Sequence, residues 1–326
     1  MGETCLIMMT SYNGEKYIAE QIESIRKQTH KNWELIIQDD MSQDNTIGII
    51  QSFMEKDQRI HCLINKKRLG AYPNWHTLIN YCKSLDDRDY YVFCDQDDIW
   101  YKDKLEKMIA YHNKKSSKLI PTLIYADMKV INAEGCVVAS NFAEDSGQVF
   151  CHPYDIFYKN CVYGCNVFLN KALFKAVPEV QIYNKRPHDA YYAMFAVALG
   201  KLIHMPETTM KYRRHGNNVS HIPIDFGWKR IVRRLIKIQK LAKDHSHNYS
   251  QALYVFDVIK EHNIIVKNAK QLNAIEKSIR SGGIYGLTVF LKLHVYCGNR
   301  YRTISRALIL LSGSYKKYLD VLMTQS

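Results

Sequence analysis

The chain has 326 residues, of which 47% are hydrophobic and 24% are charged. This composition excludes a disordered chain, and the length allows one large α/β domain plus a smaller one. The formal net charge is +13, and residues 222–326 account for most of it with 18 lysines and arginines against six acidic residues, which predicts an anionic partner for the C-terminal part.

The N-terminal residues, the cysteines and the apolar runs of the chain argue against targeting signals, a zinc site and a transmembrane helix. Nine cysteines are scattered without a Cys-x-x-Cys pair, which predicts reduced thiols in a cytosolic protein and argues against zinc. No basic leader precedes the apolar segment Cys5–Met9, so we expect no signal peptide. Leu6 replaces the Ser or Thr that a myristoylation signal needs. No run of about 18 apolar residues occurs, so no transmembrane helix is expected.

Strands and helices alternate through the first hundred residues. The hydrophobic pattern predicts four strands, at Cys5–Thr10, Trp33–Ile37, Ile60–Ile64 and Tyr90–Cys94. It predicts helices between them at Glu15–Gln28, Asn45–Glu55 and Asn74–Ser84, and a further helix from about Lys102. This order with short loops predicts an α/β fold in which helices cover both faces of a Rossmann-like, mostly parallel central sheet.

The alternation is lost after Pro121. Further strands are predicted at Thr122–Ala126, Val162–Leu169 and Thr208–Tyr212, and a helix at Ala190–Leu199. This part reads as a mixed-sheet lobe, and only helices are predicted after about Pro223. We therefore predict an α/β domain at residues 1–221 and a helical C-terminal region at residues 222–326.

An acidic run follows the strand Tyr90–Cys94. Asp95, Asp97 and Asp98 lie within four positions at the carboxyl end of that strand, where open α/β sheets bind ligands. Carboxylates this close repel one another unless a cation lies among them. Because Mg²⁺ is usually held by one or two carboxylates plus substrate phosphates, the run predicts a metal–diphosphate site centred on Asp95 and Asp97. A solvated acidic turn that caps the next helix is the alternative.

Four motifs in order resemble the inverting nucleotide-sugar glycosyltransferases of family 2, which have the GT-A fold. They are Thr10-Ser11-Tyr12-Asn13, then the run from Gln38 to Thr46, then Asp95-Gln96-Asp97-Asp98, then His188-Asp189. The run from Asp95 to Trp100 and the loop from Tyr212 to Asn218 are similar to bacterial rhamnosyltransferases, which build cell-surface polysaccharides from dTDP-L-rhamnose. Two features depart from the family: Met41 stands where a glycine is usual, and the Gln-x-x-Arg-Trp acceptor motif is absent.

The resemblance implies a role for each matching residue. Nucleotide-sugar binding would involve Thr10, Tyr12, Asp40, Asp95 and Gln96. Tyr12 would stack on the base, and Asp40 would accept a hydrogen bond from the ring N–H of a pyrimidine.

The resemblance also implies a metal ion and a general base for catalysis. Asp97 would bind Mg²⁺ or Mn²⁺, and His215 would be a further metal or phosphate ligand. Asp189 would be the general base that takes a proton from the acceptor hydroxyl.

Simpler structural roles stay open for several of these residues. Asp39 could hydrogen-bond the backbone of its own turn, and Asp189 could be a helix-capping residue. His215 could be an ordinary loop histidine. Arg213 and Arg214 could contact the diphosphate or could be solvated charges.

A basic helix is predicted at Trp228–Leu241. Its apolar stripe consists of Ile231, Leu235, Ile238 and Ala242, and six lysines and arginines lie between and opposite. Such a helix suits an anionic membrane interface, and packing against the catalytic domain is the alternative. We expect peripheral attachment to the inner face of the bacterial plasma membrane, and a contact within a homo-oligomer is a further possibility.

These features predict a metal-dependent, inverting glycosyltransferase in cell-surface polysaccharide synthesis. It would move L-rhamnose from dTDP-L-rhamnose to a hydroxyl of a lipid-linked saccharide. A UDP-sugar donor is the alternative, because uracil and thymine share the edge that Asp40 would read. A nucleic-acid partner is not expected, since no helix–turn–helix is evident. A non-catalytic binding protein would be expected to lack Asp97 or Asp189, and both are present.

Overall fold

The computed structural model describes residues 2–142, 152–180, 186–216 and 238–324. These residues form two compact units. The first contains residues 2–142, 162–180, 186–189 and 201–216, and the second contains residues 152–161, 190–200 and 238–324. Two short stretches that precede residue 221 therefore belong to the second unit.

A parallel half-sheet forms the beginning of the chain. Its strands are β1 (Cys5–Ser11), β2 (Trp33–Asp39), β3 (Ile60–Ile64) and β4 (Tyr90–Cys94). β1 lies between β2 and β4, and β3 pairs with the outer edge of β2, all in parallel. Every side chain of β4 is buried, as are nearly all of those of β1, which explains why these strands are continuous apolar runs in the sequence.

Six helices within the described residues connect these strands and those that follow. They are α1 (Ile18–Arg26), α2 (Thr46–Met54), α3 (Ala71–Lys83), α4 (Lys104–Lys115), α5 (Lys171–Ala176) and α6 (His188–Leu199). Ile18, Ile22 and Ile25 of α1 are buried, as their spacing predicts. α3 begins earlier than predicted because Pro73 fits in its first turn, where a missing N–H needs no partner.

The rest of the sheet is mixed. Its strands are β5 (Ile99–Trp100), β6 (Thr122–Ile131), β7 (Val137–Ala139), β8 (Val167–Asn170) and β9 (Lys201–Arg213). β8 runs antiparallel to β4 and β6, whereas β9 runs parallel to β6. The order across the sheet is β3-β2-β1-β4-β8-β6-β9-β5, with β7 paired to β6. The predicted α/β fold with a mixed-sheet lobe is confirmed.

Some boundaries differ from the predictions for tertiary reasons. β9 is longer than the predicted strand because it pairs with β6 from Lys201 to Arg213. β8 begins later than predicted, since a 3-10 helix at Gly164–Asn166 precedes it. In that helix the Asn166 amide donates to the carbonyls of Ala126 and Asp127 on β6, which holds the chain out of the strand.

The second unit is helical in its described C-terminal part. Its helices there are α7 (Ile238–Glu261), α8 (Ala269–Ser281), α9 (Gly283–Lys292), α10 (Arg300–Ser312) and α11 (Lys316–Thr324). α7 packs against α8, α10 and α11, and α9 packs against α8 and α10. No helix in the described ranges is long and apolar enough to cross a membrane. The predicted basic helix Trp228–Leu241 lies outside the described residues up to residue 237.

A fully buried lysine begins α4. The Lys104 ammonium donates to the Asn166 side-chain oxygen and lies 3.4 Å from the Met210 sulfur, and Thr209 donates to the same Asn166 oxygen at 2.9 Å. Burial lowers the pKa of Lys104 to about 8, although the negative charge of Asp98 opposes this shift. The core of the first unit therefore holds a cation directly behind its acidic edge.

This lysine makes stability depend on pH. Between pH 8 and 10.5 the unfolded chain binds a proton at Lys104 that the folded chain does not, so the free energy of unfolding should rise with pH, by up to about 3 kcal/mol. Lys104→Met removes this contribution. The stability of the variant relative to wild type should therefore fall as the pH rises through this window, as measured by urea unfolding. The exposed neighbour Lys102→Met is the control, and parallel curves for Lys104→Met and wild type would contradict the prediction.

Candidate functional site

Asp39 joins the ends of the first two strands. Its carboxylate is buried and accepts hydrogen bonds from the Ser11 hydroxyl at 2.7 Å, the Ser42 N–H at 2.7 Å and the Ser42 hydroxyl at 2.6 Å. These partners all belong to the turn and the neighbouring strand. Asp39 therefore organises the turn, as expected from the sequence.

Gln96 connects the end of β4 to the turn after β1. Its side-chain oxygen accepts from the Tyr12 N–H at 3.0 Å, and its amide nitrogen donates to the Tyr12 carbonyl at 3.1 Å. A Cβ on Gly14 would lie 2.3 Å from the Gln96 oxygen, so only glycine fits beside this contact. The sequence predicts Gln96 as a ligand for the nucleotide-sugar, and the structure places its amide against the Tyr12 main chain.

The Tyr12 ring lies under an arginine that the sequence did not single out. The Arg68 guanidinium is 4.1 Å from the ring centroid, a distance typical of cation–π contact. Arg68 belongs to the loop after β3, the third parallel strand, and loops at this edge form the ligand crevice. Its position after the third strand is the feature of the sequence that could have identified Arg68 as a site residue. Thr10, also predicted at the site, is half-buried and pairs with Gln38 across β1 and β2.

Asp40 is buried and bonded to the same loop. One carboxylate oxygen accepts from the Asn65 amide at 2.8 Å and from the Leu69 N–H at 2.7 Å. The other accepts from the Gly70 N–H at 2.8 Å, and Gly70 has a φ of 90° that favours glycine. Because a carboxylate has about four acceptor positions, these three bonds leave room for one more donor.

Three carboxylates from two separate segments of the chain influence one another electrostatically. Burial is the main cause that raises the pKa of Asp95 to about 7, and the charges of Asp97 and Asp189 raise it further. Asp189 lies in the first turn of α6, and its carboxylate accepts from the Gly164 N–H at 3.1 Å. The fold therefore brings the residue predicted as general base close to the acidic run.

The two residues predicted as metal ligands are in direct contact. The His215 Nε2 lies 2.7 Å from an Asp97 carboxylate oxygen, and both side chains are largely buried. The Tyr17 ring packs on the His215 ring with centroids 4.9 Å apart. His215 is therefore part of the same cluster as the acidic run.

Arg213 supports the acidic run from behind. Its N–H donates to an Asp98 oxygen at 2.9 Å, and its Nε donates to the Asp97 carbonyl at 2.9 Å. The guanidinium also donates to the Ala133 carbonyl at 3.1 Å and forms an ion pair with Glu20. Because Arg213 is buried with these partners, the prediction that it is a solvated charge is wrong, and its role here is structural.

The side chains around the acidic run differ in how well they suit a metal ion. Ligand atoms of Asp95, Asp98 and Cys165 lie within 4.8 Å of one another. Burial holds the pKa of the Cys165 thiol well above its ordinary value, which keeps it protonated and unsuited to a hard cation. Asp95, Asp97 and His215 instead offer oxygen and nitrogen atoms. The pKa of Asp95 is raised first by burial and then by the charges of Asp97 and Asp189, and a cation would relieve that repulsion. The oxygen and nitrogen atoms of these three residues are of the kinds that Mg²⁺ and Mn²⁺ bind.

A neutral histidine precedes Asp189. The His188 ring stacks on Trp75 with centroids 4.1 Å apart, and neither of its nitrogens has a hydrogen-bond partner within the described part of the chain. Burial, together with nearby His76, holds the pKa of His188 well below its ordinary value. The imidazole therefore supplies no positive charge to the carboxylates. Gly164 permits this packing, because a Cβ there would lie 3.0 Å from the His188 Nε2.

Met41 follows Asp40 in a strained backbone conformation. Its φ is 62°, in the left-handed region that costs an L-residue about 1–2 kcal/mol. Asn13 in the facing turn has a φ of 46°, and asparagine tolerates this region well. The family's usual glycine would fit the Met41 position without this cost.

Comparisons with known proteins identify the family of the chain. The family described as "Glycosyl transferase family 2" matches residues 6–133. A relative from Escherichia coli named "UDP-Glc:alpha-D-GlcNAc-diphosphoundecaprenol beta-1,3-glucosyltransferase WfgD" is 35% identical over 51% of this chain and 60% of its own length. A relative from Shigella flexneri named "dTDP-rhamnosyl transferase RfbG" is 30% identical over 67% of this chain and 75% of its own length.

A solved structure has the same fold. The crystal structure of S. aureus TarS 1-349 in complex with UDP-GlcNAc superposes with a TM-score of 0.57, covering 99% of this chain and 92% of that one. Its sequence identity is 14%, so the likeness concerns the fold alone.

Replacing Met41 by glycine should stabilise the protein. Met41→Gly removes the strain of the left-handed conformation, partly offset by the greater freedom of glycine in the unfolded chain, for a net gain of about 1 kcal/mol. Urea unfolding measures this gain. The control is Met54→Gly at the end of α2, where glycine should instead cost up to about 1 kcal/mol. A loss of stability in Met41→Gly would contradict the argument from strain.

Proposed function

Because the chain belongs to glycosyl transferase family 2, we propose that it transfers a sugar from a nucleoside-diphosphate sugar to a hydroxyl group, with inversion at the anomeric carbon. The proposal rests on Asp95, Asp97 and Asp189, which the fold brings close enough for the charges of Asp97 and Asp189 to act on Asp95. Tyr12 and Asp40 follow strands that end at the same edge of the sheet. This arrangement can hold a diphosphate, a base and a proton acceptor together.

The proposed donor is dTDP-L-rhamnose. The similarity to RfbG and the rhamnosyltransferase-like motifs support it, and the similarity to WfgD keeps a UDP-sugar as the second candidate. In both cases the base would stack on Tyr12, beside or in place of the Arg68 guanidinium. The remaining acceptor position of Asp40 would take the ring N–H that uracil and thymine share. A base without that donor would leave a buried acceptor unpaired, at a cost of about 1–3 kcal/mol.

Asp189 is the proposed general base. Its carboxylate takes the proton of the acceptor hydroxyl as the hydroxyl oxygen bonds to the anomeric carbon, on the face opposite the diphosphate. The bond between that carbon and the diphosphate oxygen breaks, and its electron pair leaves with the diphosphate. The Gly164 N–H fixes the orientation of Asp189. The neutral ring of His188 leaves the Asp189 charge without an adjacent imidazolium.

A divalent cation fits the acidic edge. Asp95 and Asp97 would hold Mg²⁺ or Mn²⁺ with His215 as a third ligand, and the cation would neutralise charge on the leaving diphosphate. In the present arrangement His215 bonds Asp97, which keeps the carboxylate oriented. Arg213 fixes the backbone of the same turn through the Asp97 carbonyl.

The proposed acceptor is a hydroxyl of a lipid-linked saccharide at the cytoplasmic face of a bacterial membrane. The name of WfgD specifies a diphosphoundecaprenol-linked acceptor, and that acceptor class is transferred to this chain as a proposal. The positive charge of residues 222–326 supports attachment to an anionic membrane surface.

Two substitutions separate the proposed roles. Asp189→Asn should lower kcat by about 10²–10⁴-fold while the donor dissociation constant stays within about twofold, because the residue acts on the acceptor proton. Asp97→Asn should weaken donor binding in the presence of Mg²⁺ or Mn²⁺ and abolish the effect of the metal. The measurements are calorimetric donor binding and transfer rates over a panel of dTDP- and UDP-sugars.

Controls for these substitutions are available in the chain. Glu55→Gln removes an exposed carboxylate after α2 and should leave all rates unchanged. Removal of divalent cations with EDTA should stop transfer, and their return should restore it. Unchanged transfer in EDTA would contradict the metal proposal, turnover of UDP-sugars alone would contradict the rhamnose donor, and full activity of Asp189→Asn would contradict the general base.

A further inference from the structure

Helix α10 is apolar on its outward side as well as its inward side. Ile309 and Leu310 are buried, as expected for the inward side. Six of its 13 residues are exposed, and four of those six are large and apolar. These four, called the α10 stripe below, are Tyr301, Ile304, Leu308 and Leu311, with exposed fractions of 63%, 56%, 50% and 37%. Surface helices normally carry polar residues outward, so this face is unusual.

The α10 stripe forms a continuous surface. Its residues follow one another at intervals of three, four and three positions, which places them on one side of the helix. Helix α9, which packs against α10, has two further exposed apolar side chains of its own, Ile284 and Leu291. An apolar patch of this kind on a folded protein marks an interaction surface.

The charge around the stripe restricts the kind of partner that it can bind. Residues 277–319 contain eight lysines and arginines and no aspartate or glutamate. Lys292, Arg300 and Lys317 are exposed within this segment. Glu276, just before the segment, is paired with Lys260 and Arg280. The exposed apolar and basic side chains of the segment are complementary to a negatively charged, partly apolar partner.

We propose that the α10 stripe docks on an anionic lipid bilayer. The aliphatic side chains would enter the boundary between headgroups and acyl chains, and Tyr301 suits that interface because its ring is apolar and its hydroxyl polar. The surrounding lysines and arginines would attract anionic headgroups. A second copy of this chain is a poorer partner, since its matching face carries the same positive charge and would repel.

This surface differs from the membrane contact predicted at Trp228–Leu241. It lies within the described residues and is independent of the identity of the donor sugar. Its failure would therefore leave the proposed transfer reaction intact.

Vesicle flotation of the full chain tests the proposal. Wild type should bind vesicles that contain about one-third phosphatidylglycerol and should not bind pure phosphatidylcholine. Binding should weaken as salt rises from about 0.1 M to about 0.5 M. The double variant Ile304→Ser/Leu308→Ser should reduce the partition coefficient by at least about tenfold, because two apolar side chains are lost from the interface. Donor hydrolysis should be unchanged.

The control is Ile265→Ser, which removes an apolar side chain that is 93% exposed in the loop between α7 and α8. It should bind vesicles as wild type does, and thermal unfolding should confirm that each variant is folded. Equal binding to neutral and anionic vesicles, or wild-type binding by the double variant, would overturn the proposal. So would a wild-type dimer in sedimentation that the double variant abolishes, together with no binding to vesicles.

Discussion

The first unit depends on holding several carboxylates together at one edge of a sheet. Burial and mutual repulsion raise the pKa of Asp95 and of Asp98, so the arrangement is unfavourable unless the surroundings enforce it. The enforcing contacts come from distant parts of the chain. Arg213 bonds the acidic turn through both main chain and side chain, and the buried ammonium of Lys104 lies behind Asp98. Carboxylates whose pKa values are raised by burial and by one another in this way are typical of functional sites.

The same edge combines rigid and adaptable contacts. The Gln96 amide and the Asp39 carboxylate bond the neighbouring turns, so they set the positions of those turns at this edge. Tyr12 and Asp40 lie next to them and keep surfaces that a base can use. Binding sites achieve precise geometry when neighbouring residues hold the backbone of the side chains that determine specificity.

The second unit has a different physical character. The first unit gathers acidic groups around buried strands, whereas the described C-terminal helices combine basic residues with exposed apolar ones. One chain thus carries two kinds of surface, one suited to a cation and a phosphate-bearing substrate, the other to an anionic interface.

The sequence by itself determined the four parallel strands, the motif residues and the family, because continuous apolar runs and ordered motifs are local signals. It also determined the uneven charge. The tertiary structure alone decided that Arg213 is buried, that Arg68 lies over Tyr12 and that β9 extends along β6. Those facts depend on contacts between residues far apart in the chain. Helical periodicity likewise marks which residues share a face, but only packing decides whether a face such as the α10 stripe is covered.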